Sequence, residues 1–477
     1  MNRLAPINKL PPETLALTAT FFVKQRDLIS ATAVCRQWRT ILLSFPRLWH
    51  NPGGSSSELE AYLERSKSVP IEVNLSSPHL VLSITPHTSR LVTLTLLVNH
   101  SADFDLIATH LHYPIPTLRS LEIIARSQRP RILELPSSPH DGLFLHLKKL
   151  CLNGISSFRG LRTFPHITEL FLYTNAYLST TTITLLDALG QLPGLEKVYI
   201  TFHDVWDTGV DPIGVTTLPC VQEIRLSAFH VRVPMTPVAV PPILQFLKLP
   251  KATSLTVQQL GSLLPWNLSI LPVTSFGEHL PNYVELLDLR IHTAAGSGTV
   301  VFQSPSQAIF TYHTGALRDF QLEARLWGDL PLRSVRRVTA VLVNPVRIGG
   351  EDAWLVDLLG ELDFLELLEL GGDCGHVLRR LRRRMVRGAT LVDIRTLIVR
   401  GGEYAKCQAF KFENVKGSLG LDQMTVTYIP DPTVHEGLAP DPDAESSSDD
   451  EDWDEDYGEG SDEGDEDEDD EDEDGEG

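Results

Sequence analysis

The residue types that perform catalysis are present in this chain, but none is arranged to act together. There is no Gly-x-x-x-x-Gly-Lys-[Ser/Thr] phosphate cradle, no Gly-x-Ser-x-Gly nucleophile elbow and no His-Glu-x-x-His zinc helix. His110-x-His112 sets two imidazoles close together, a spacing more common in a strand or loop than at a metal. The five cysteines (Cys35, Cys151, Cys220, Cys374, Cys407) form no Cys-x-x-Cys pair. That pattern excludes a zinc ribbon and a disulfide framework, and it fits a reducing compartment. The acid-rich C-terminal end lacks the glycine and spacing of a calcium loop. We therefore expect no catalytic residue, no metal and no cofactor.

Binding chemistry is better represented. Short segments of the form x-L-x-L-x predict strands whose x positions share one face. Those positions hold Glu169, Phe171 and Tyr173, then Lys197, Tyr199 and Thr201, then Glu223 and Arg225. Rigid aromatics and arginine dominate binding hot spots, so Phe171, Tyr173, Lys197, Tyr199 and Arg225 are the candidate target-binding residues. The run HVLRRLRRRMVR at 376–387 places Val377, Leu381 and Met385 one helical turn apart, predicting an amphipathic helix with a basic solvent face. Nuclear import, nucleic-acid contact or docking of an acidic segment are its functional alternatives. Ser446, Ser447 and Ser448 precede acids by three residues, which suits phosphorylation by an acid-directed kinase of the casein kinase II type.

The elements that must position these residues follow from charge and periodicity. The net charge of −21 is an average over two unlike parts. Residues 441–477 hold 24 Asp and Glu and no Lys or Arg, leaving 38 acidic against 41 basic residues elsewhere, a charge of +3. Beyond Thr433 almost nothing apolar remains, so residues 433–477 are expected to be a disordered acidic tail. No apolar run approaches the ~18 residues of a membrane span, and no secretory signal layout opens the sequence, so no membrane partner is expected.

From residue 90 an apolar-x-x-apolar-x-apolar hexamer recurs, starting at Leu91, Leu118, Leu147, Ile167, Leu195, Val221, Leu244, Val284, Leu317, Leu365 and Ile394, with a looser copy at Val335. Most gaps are 18 to 33 residues, near the roughly 20–29 of leucine-rich repeats. Pro116, Pro165, Pro193 and Pro219 each stand two residues before a start, where a missing N–H harms no central ladder. Residues 250–315 fit worst and are expected to bulge or to form an irregular repeat.

Upstream, Leu28, Ala31, Val34, Trp38, Ile41 and Phe45 recur at helical spacing, and Pro11-Pro12-Glu13 suits the first turn of an earlier helix. A second apolar set, including Leu10, Leu15, Phe21, Phe22, Leu48 and Trp49, exceeds what so short a unit can cover and predicts a docking face. Leu17–Val23 holds no helix breaker, so the end of the first helix is not set by the sequence. Residues 51–70 read as a linker with a short helix, followed by an alternating strand, VPIEVNL.

The opening Leu10-Pro11-x-Glu13, the centre Ala33-Val34-Cys35-Arg36-x-Trp38-Arg39 and the closing Leu48-Trp49 resemble the F-box motif. The arrangement of helix, Arg65-Ser66, Pro70 and strand looks like fungal members of that family. The resemblance implies a three-helix F-box over 1–50 that docks on a Skp-type adaptor and through it a cullin. Leu10, Pro11, Leu15, Leu28, Val34, Cys35 and Trp38 are then the candidate adaptor contacts, and residues 71–432 hold an unknown protein substrate for ubiquitination. The expected fold class is α/β: the F-box, an irregular leucine-rich-repeat-like solenoid and the acidic tail. Such a receptor makes no bonds itself and resides in cytoplasm or nucleus; nucleic acid is not an expected partner. Two alternatives stay open: a scaffold that binds the adaptor without the cullin, and a nuclear histone- or basic-protein-binding module acting through its acidic tail.

Overall fold

Local caps bound the first and third helices. The computed structural model describes residues 9–22, 25–52, 56–100, 103, 106–107, 114–125, 144–154, 161, 164–174, 182–203, 214–229, 243–260, 276–294, 297–314, 331–343, 353–360, 362–372, 374–386, 394–417 and 421–431. Helix α1 (Pro12–Ala19) begins with proline in its first turn and stops at Thr20, whose hydroxyl donates to the Leu17 carbonyl at 2.7 Å. Helix α2 spans Gln25–Ala33 and α3 spans Arg36–Ser44. The apolar stripe predicted from Leu28 to Phe45 is therefore not one helix. It breaks at Val34, and the extended Cys35 caps α3 by accepting the Trp38 N–H on its sulfur at 3.5 Å.

These helices bury a small core of their own. Leu15, Ala16, Ala19, Leu28, Ala31, Ile41 and Leu42 enclose Trp49, and Tyr62 joins them from helix α4 (Ser56–Arg65). The Trp49 ring meets Tyr62 edge-on at 4.8 Å, lies 4.6 Å from the Arg65 guanidinium and donates its N–H to the Leu42 carbonyl at 3.0 Å.

The junction to the rest of the chain is hydrogen-bonded. Strand β1 (Ile71–Leu75) donates from the Glu72 N–H to the His50 carbonyl at 2.8 Å. Arg90 reaches back to the Leu63 carbonyl at 2.6 Å and the Ser66 hydroxyl at 2.8 Å, tying the end of α4 to the start of the next strand.

Among the described residues, β1 is the first strand of a fifteen-stranded, mostly parallel sheet. Its strands include β2 (Leu91–Val98), β3 (Ser120–Ala125), β4 (Lys149–Asn153), β5 (Glu169–Thr174) and β6 (Lys197–His203). The two-residue β7 (Thr216–Thr217) pairs only with β9 (Leu247–Lys248), apart from the main sheet. β8 (Glu223–Phe229), β10 (Ser254–Leu260), β11 (Asp288–Ala294), β12 (Ser297–Gln303), β13 (Ile309–Thr314), β14 (Arg337–Val343), β15 (Leu367–Gly372), β16 (Thr396–Gly401) and β17 (Thr425–Pro430) complete it.

One turn repeats along the edge where the strands begin. The Leu147, Ile167, Leu195 and Val335 N–H groups each bond the carbonyl three residues back. The next two N–H groups then share one carbonyl of the preceding unit, as Thr168 and Glu169 share that of Lys148 at 2.8 and 2.9 Å. These strands thus start in step with their neighbours, which is why Leu150, Leu170, Val198 and Ile224 align in one buried row. Helices Thr182–Gly190, Ala353–Gly360, Gly375–Val386 and Glu403–Val415 cover that apolar face. Within Gly375–Val386 the predicted Val377, Leu381 and Met385 are buried. Among the described residues no helix is long and apolar enough to cross a membrane.

The hexamer starts at Leu91, Leu118, Leu147, Ile167, Leu195, Val221, Val335, Leu365 and Ile394 each lead into a strand of this sheet. Two others do not behave as expected. The Leu244 copy leads to β9 in the side pair, while the main strand β10 uses Ala252-x-x-Leu255-x-Val257. At Val284 the register is Leu286-x-x-Leu289-x-Ile291, because Val284 itself is exposed. Leu317 lies outside the described residues. The irregular stretch is a local reversal: the chain skips from β10 to β11, and the antiparallel β12 with β13 fills the space left between them.

Candidate functional site

Two surfaces could carry function. On the N-terminal helices, the seven residues singled out from sequence separate into two groups. Leu15 and Leu28 are buried in the unit's own core, and Trp38 packs half-buried against it. They hold the helices together rather than facing outward. Leu10 is half-buried, Pro11 is an exposed cap, Cys35 is the half-buried cap of α3 and Val34 is 49% exposed. The Trp38 ring N–H is shielded from solvent and has no hydrogen-bond partner among the described residues.

The same unit exposes apolar side chains the motif did not single out for contact: Leu17 at 62%, Phe21 at 76%, and Ile29. Leu17 sits two residues from the buried Leu15 and so falls on the other side of α1. That off-stripe position was the available signal. With Val34 they form an apolar excess on helices that already have a complete core.

The second surface is the face of the sheet opposite the helices. Register brings Glu122, Cys151, Phe171, Tyr199 and Arg225 into one row across β3, β4, β5, β6 and β8. Phe171 and Tyr199 stack at 4.5 Å with their planes 2° apart. Lys149 lies 4.7 Å from the Phe171 ring and Arg225 lies 5.6 Å from that of Tyr199, so the aromatic pair is bracketed by cations. Lys197 instead pairs with Glu169 at 3.1 Å, and Tyr173 stands in the next row beside Thr201. The five sequence-derived candidates thus occupy one continuous patch.

Electrostatics mark the patch as half-desolvated. Burial pushes the Cys151 thiol up to about 12, with the Glu122 carboxylate adding to the shift. Burial also raises Tyr199 to about 12, helped by its hydrogen bond to Glu223. Tyr173 is raised chiefly by burial, and His313 is lowered by burial and then by the Arg225 charge. A thiol held neutral in this way is a packing group rather than a nucleophile. His110, His112 and Ser446–Ser448 lie outside the described residues.

The helical unit thus has a core of its own and apolar side chains left exposed beside it. Residues 7–53 match the family model of the F-box-like domain. The chain therefore carries an F-box-like domain at its N-terminal end, followed by a large α/β sheet domain. No curated protein matches the chain.

Proposed function

We propose that this chain is the substrate-recognition subunit of a Skp–cullin–F-box-type ubiquitin ligase. The reading rests above all on the F-box-like match at residues 7–53, joined to an exposed apolar set of Leu17, Phe21, Ile29 and Val34. The sheet domain, read as a leucine-rich-repeat-like ladder of the fungal F-box type, holds the target on the face opposite its helices. The protein makes no bond itself. It raises the effective concentration of a target lysine near a charged ubiquitin enzyme, which is a proximity effect. The bonds from Glu72 to His50 and from Arg90 to Leu63 favour this role, because a stiff junction fixes the distance between adaptor and target. Its place of action is then the cytoplasm or nucleus.

Co-expression of the full chain with a Skp-type adaptor, followed by addition of the cullin scaffold, tests the proposal. A ternary complex supports it. A stable pair that never recruits the cullin identifies a scaffold instead, and no pair at all refutes both.

A further inference from the structure

The joint between the N-terminal helices and the sheet is built around one half-buried cation. Arg90 ends the short 3-10 segment Thr85–Arg90 and stands directly before β2. Its guanidinium donates to four acceptors: the Leu63 carbonyl at 2.6 Å, the Ser66 hydroxyl at 2.8 Å, the Val69 carbonyl at 3.5 Å and the His87 Nδ1 at 3.3 Å. The Ser66 oxygen is oriented to accept, because its own proton goes to the Leu63 carbonyl at 3.1 Å. All four acceptors are neutral, and Arg90 forms no ion pair among the described residues.

This arrangement fixes the state of His87. A guanidinium carries donors only, so the Nδ1 facing it presents a lone pair and the ring proton sits on Nε2. A second ring proton removes that acceptor and sets a positive charge against the guanidinium. Burial and then the Arg90 charge hold the His87 pKa below its ordinary 6.5. Of the charged side chains on the neighbouring elements, Arg65 lies over the Trp49 ring, while Glu64, Lys67, His79 and Arg119 are exposed. His50, the other histidine at the joint, donates from Nδ1 to the Arg47 carbonyl at 2.7 Å, a bond that a charged ring keeps.

We propose, resting on the reading that this joint sets the distance between adaptor and target, that His87 is a proton-operated catch on Arg90. With the ring neutral, Arg90 clamps the end of α4 to the start of β2. With the ring charged, the clamp loosens at Leu63–Val69. The folded chain favours the neutral ring, so this contribution is complete above pH 6.5 and is lost as the pH falls through the folded value.

The test follows hydrogen exchange of the full chain by mass spectrometry at about pH 7.5 and about pH 5.5, where ordinary carboxylates stay ionised, with intrinsic rates corrected for. The N–H groups of Ser66, Val69 and Glu72, bonded to the Tyr62, Ser66 and His50 carbonyls, report on the joint. Strands β4 to β6 are the control. The wild type should lose protection at the joint, and not in the control strands, at the lower pH. His87→Gln offers an amide oxygen in place of Nδ1 and does not titrate, so it should keep that protection at both. Unchanged protection in the wild type, or an equal loss in His87→Gln, overturns the proposal. An unchanged thermal melt at the higher pH checks that the variant is folded; should it fail to fold, His87→Asn takes its place. Adaptor capture is measured on the same preparation. Failure there with the exchange pattern intact removes the ligase reading and leaves the catch; the reverse outcome removes the catch alone.

Discussion

Replacing Trp49 with alanine should unfold the N-terminal helices and spare the sheet. Trp49 is fully buried and joins three elements: it donates to the Leu42 carbonyl of α3, meets Tyr62 of α4 edge-on and carries the Arg65 guanidinium over its ring. Truncating a buried tryptophan costs about 3–5 kcal/mol, and the aromatic pair adds about 1 kcal/mol. The buried core it leaves is small: Ala16, Ala19 and Ala31 beside Leu15, Leu28, Ile41, Leu42 and Tyr62. A unit of about 40 residues is marginal by itself, so a loss of about 5 kcal/mol exceeds what it can absorb. The sheet has a separate core and should hold. Trp49→Phe keeps an aromatic ring but orphans the Leu42 carbonyl, at a cost of about 1–2 kcal/mol, and should leave the helices folded. Hydrogen exchange followed by mass spectrometry reads both regions at once. Trp49→Ala should lose protection across Pro12–Ser44 and keep it in strands β2 to β6. Wild-type protection of α1–α3 in that variant would refute the anchoring role of Trp49, and loss of protection throughout would refute the separation of the two cores.

Further outcomes follow from single positions. Gly372 has φ +74° and an added Cβ would strike the Leu342 carbonyl, so Gly372→Ala should lower stability by about 2–3 kcal/mol in a denaturant titration. Cys407 is exposed while burial holds the Cys151 thiol near 12, so an aromatic disulfide reagent at pH 8 should label Cys407 quickly and Cys151 only on unfolding. His313 has a folded pKa below its ordinary 6.5, so the unfolded chain binds more protons between those two values. Its contribution is complete above pH 6.5 and falls away as the pH drops through the folded value, and His313→Gln should flatten that part of a stability-versus-pH curve.

The ladder was readable in the sequence where three apolar residues in a hexamer all fill the buried row, as in Leu118-x-x-Leu121-x-Ile123. It failed where composition blurred that rule. Ala252 is too small to register as a core position, so β10 went unseen, and Val284 with Leu287 offered a false frame beside Leu286. The reversed β12 could not be read either, because alternation specifies a face and not a direction. On the N-terminal helices the motif marked the segment that matches the F-box-like model, and the residues drawn from it divide between core and surface. Leu15 and Leu28 are apolar because they build the unit, whereas Leu17 and Phe21 are apolar without any core to fill. Period alone cannot separate those cases when the helices are as short as α1 and α3. The row on the sheet face opposite the helices was the easier reading, since same-face positions on neighbouring parallel strands are brought together by register alone.

Affinity for the adaptor bears most directly on the proposed function. The purified full chain is titrated with a Skp-type adaptor by calorimetry, beside a Leu17→Asp/Phe21→Asp variant. Both side chains are exposed, so the variant should keep its fold to within about 0.5 kcal/mol. The account predicts one-to-one binding by the wild type and loss of at least about a hundredfold in affinity for the variant. A folded wild-type chain that gives no binding heat and does not co-migrate with the adaptor would contradict it.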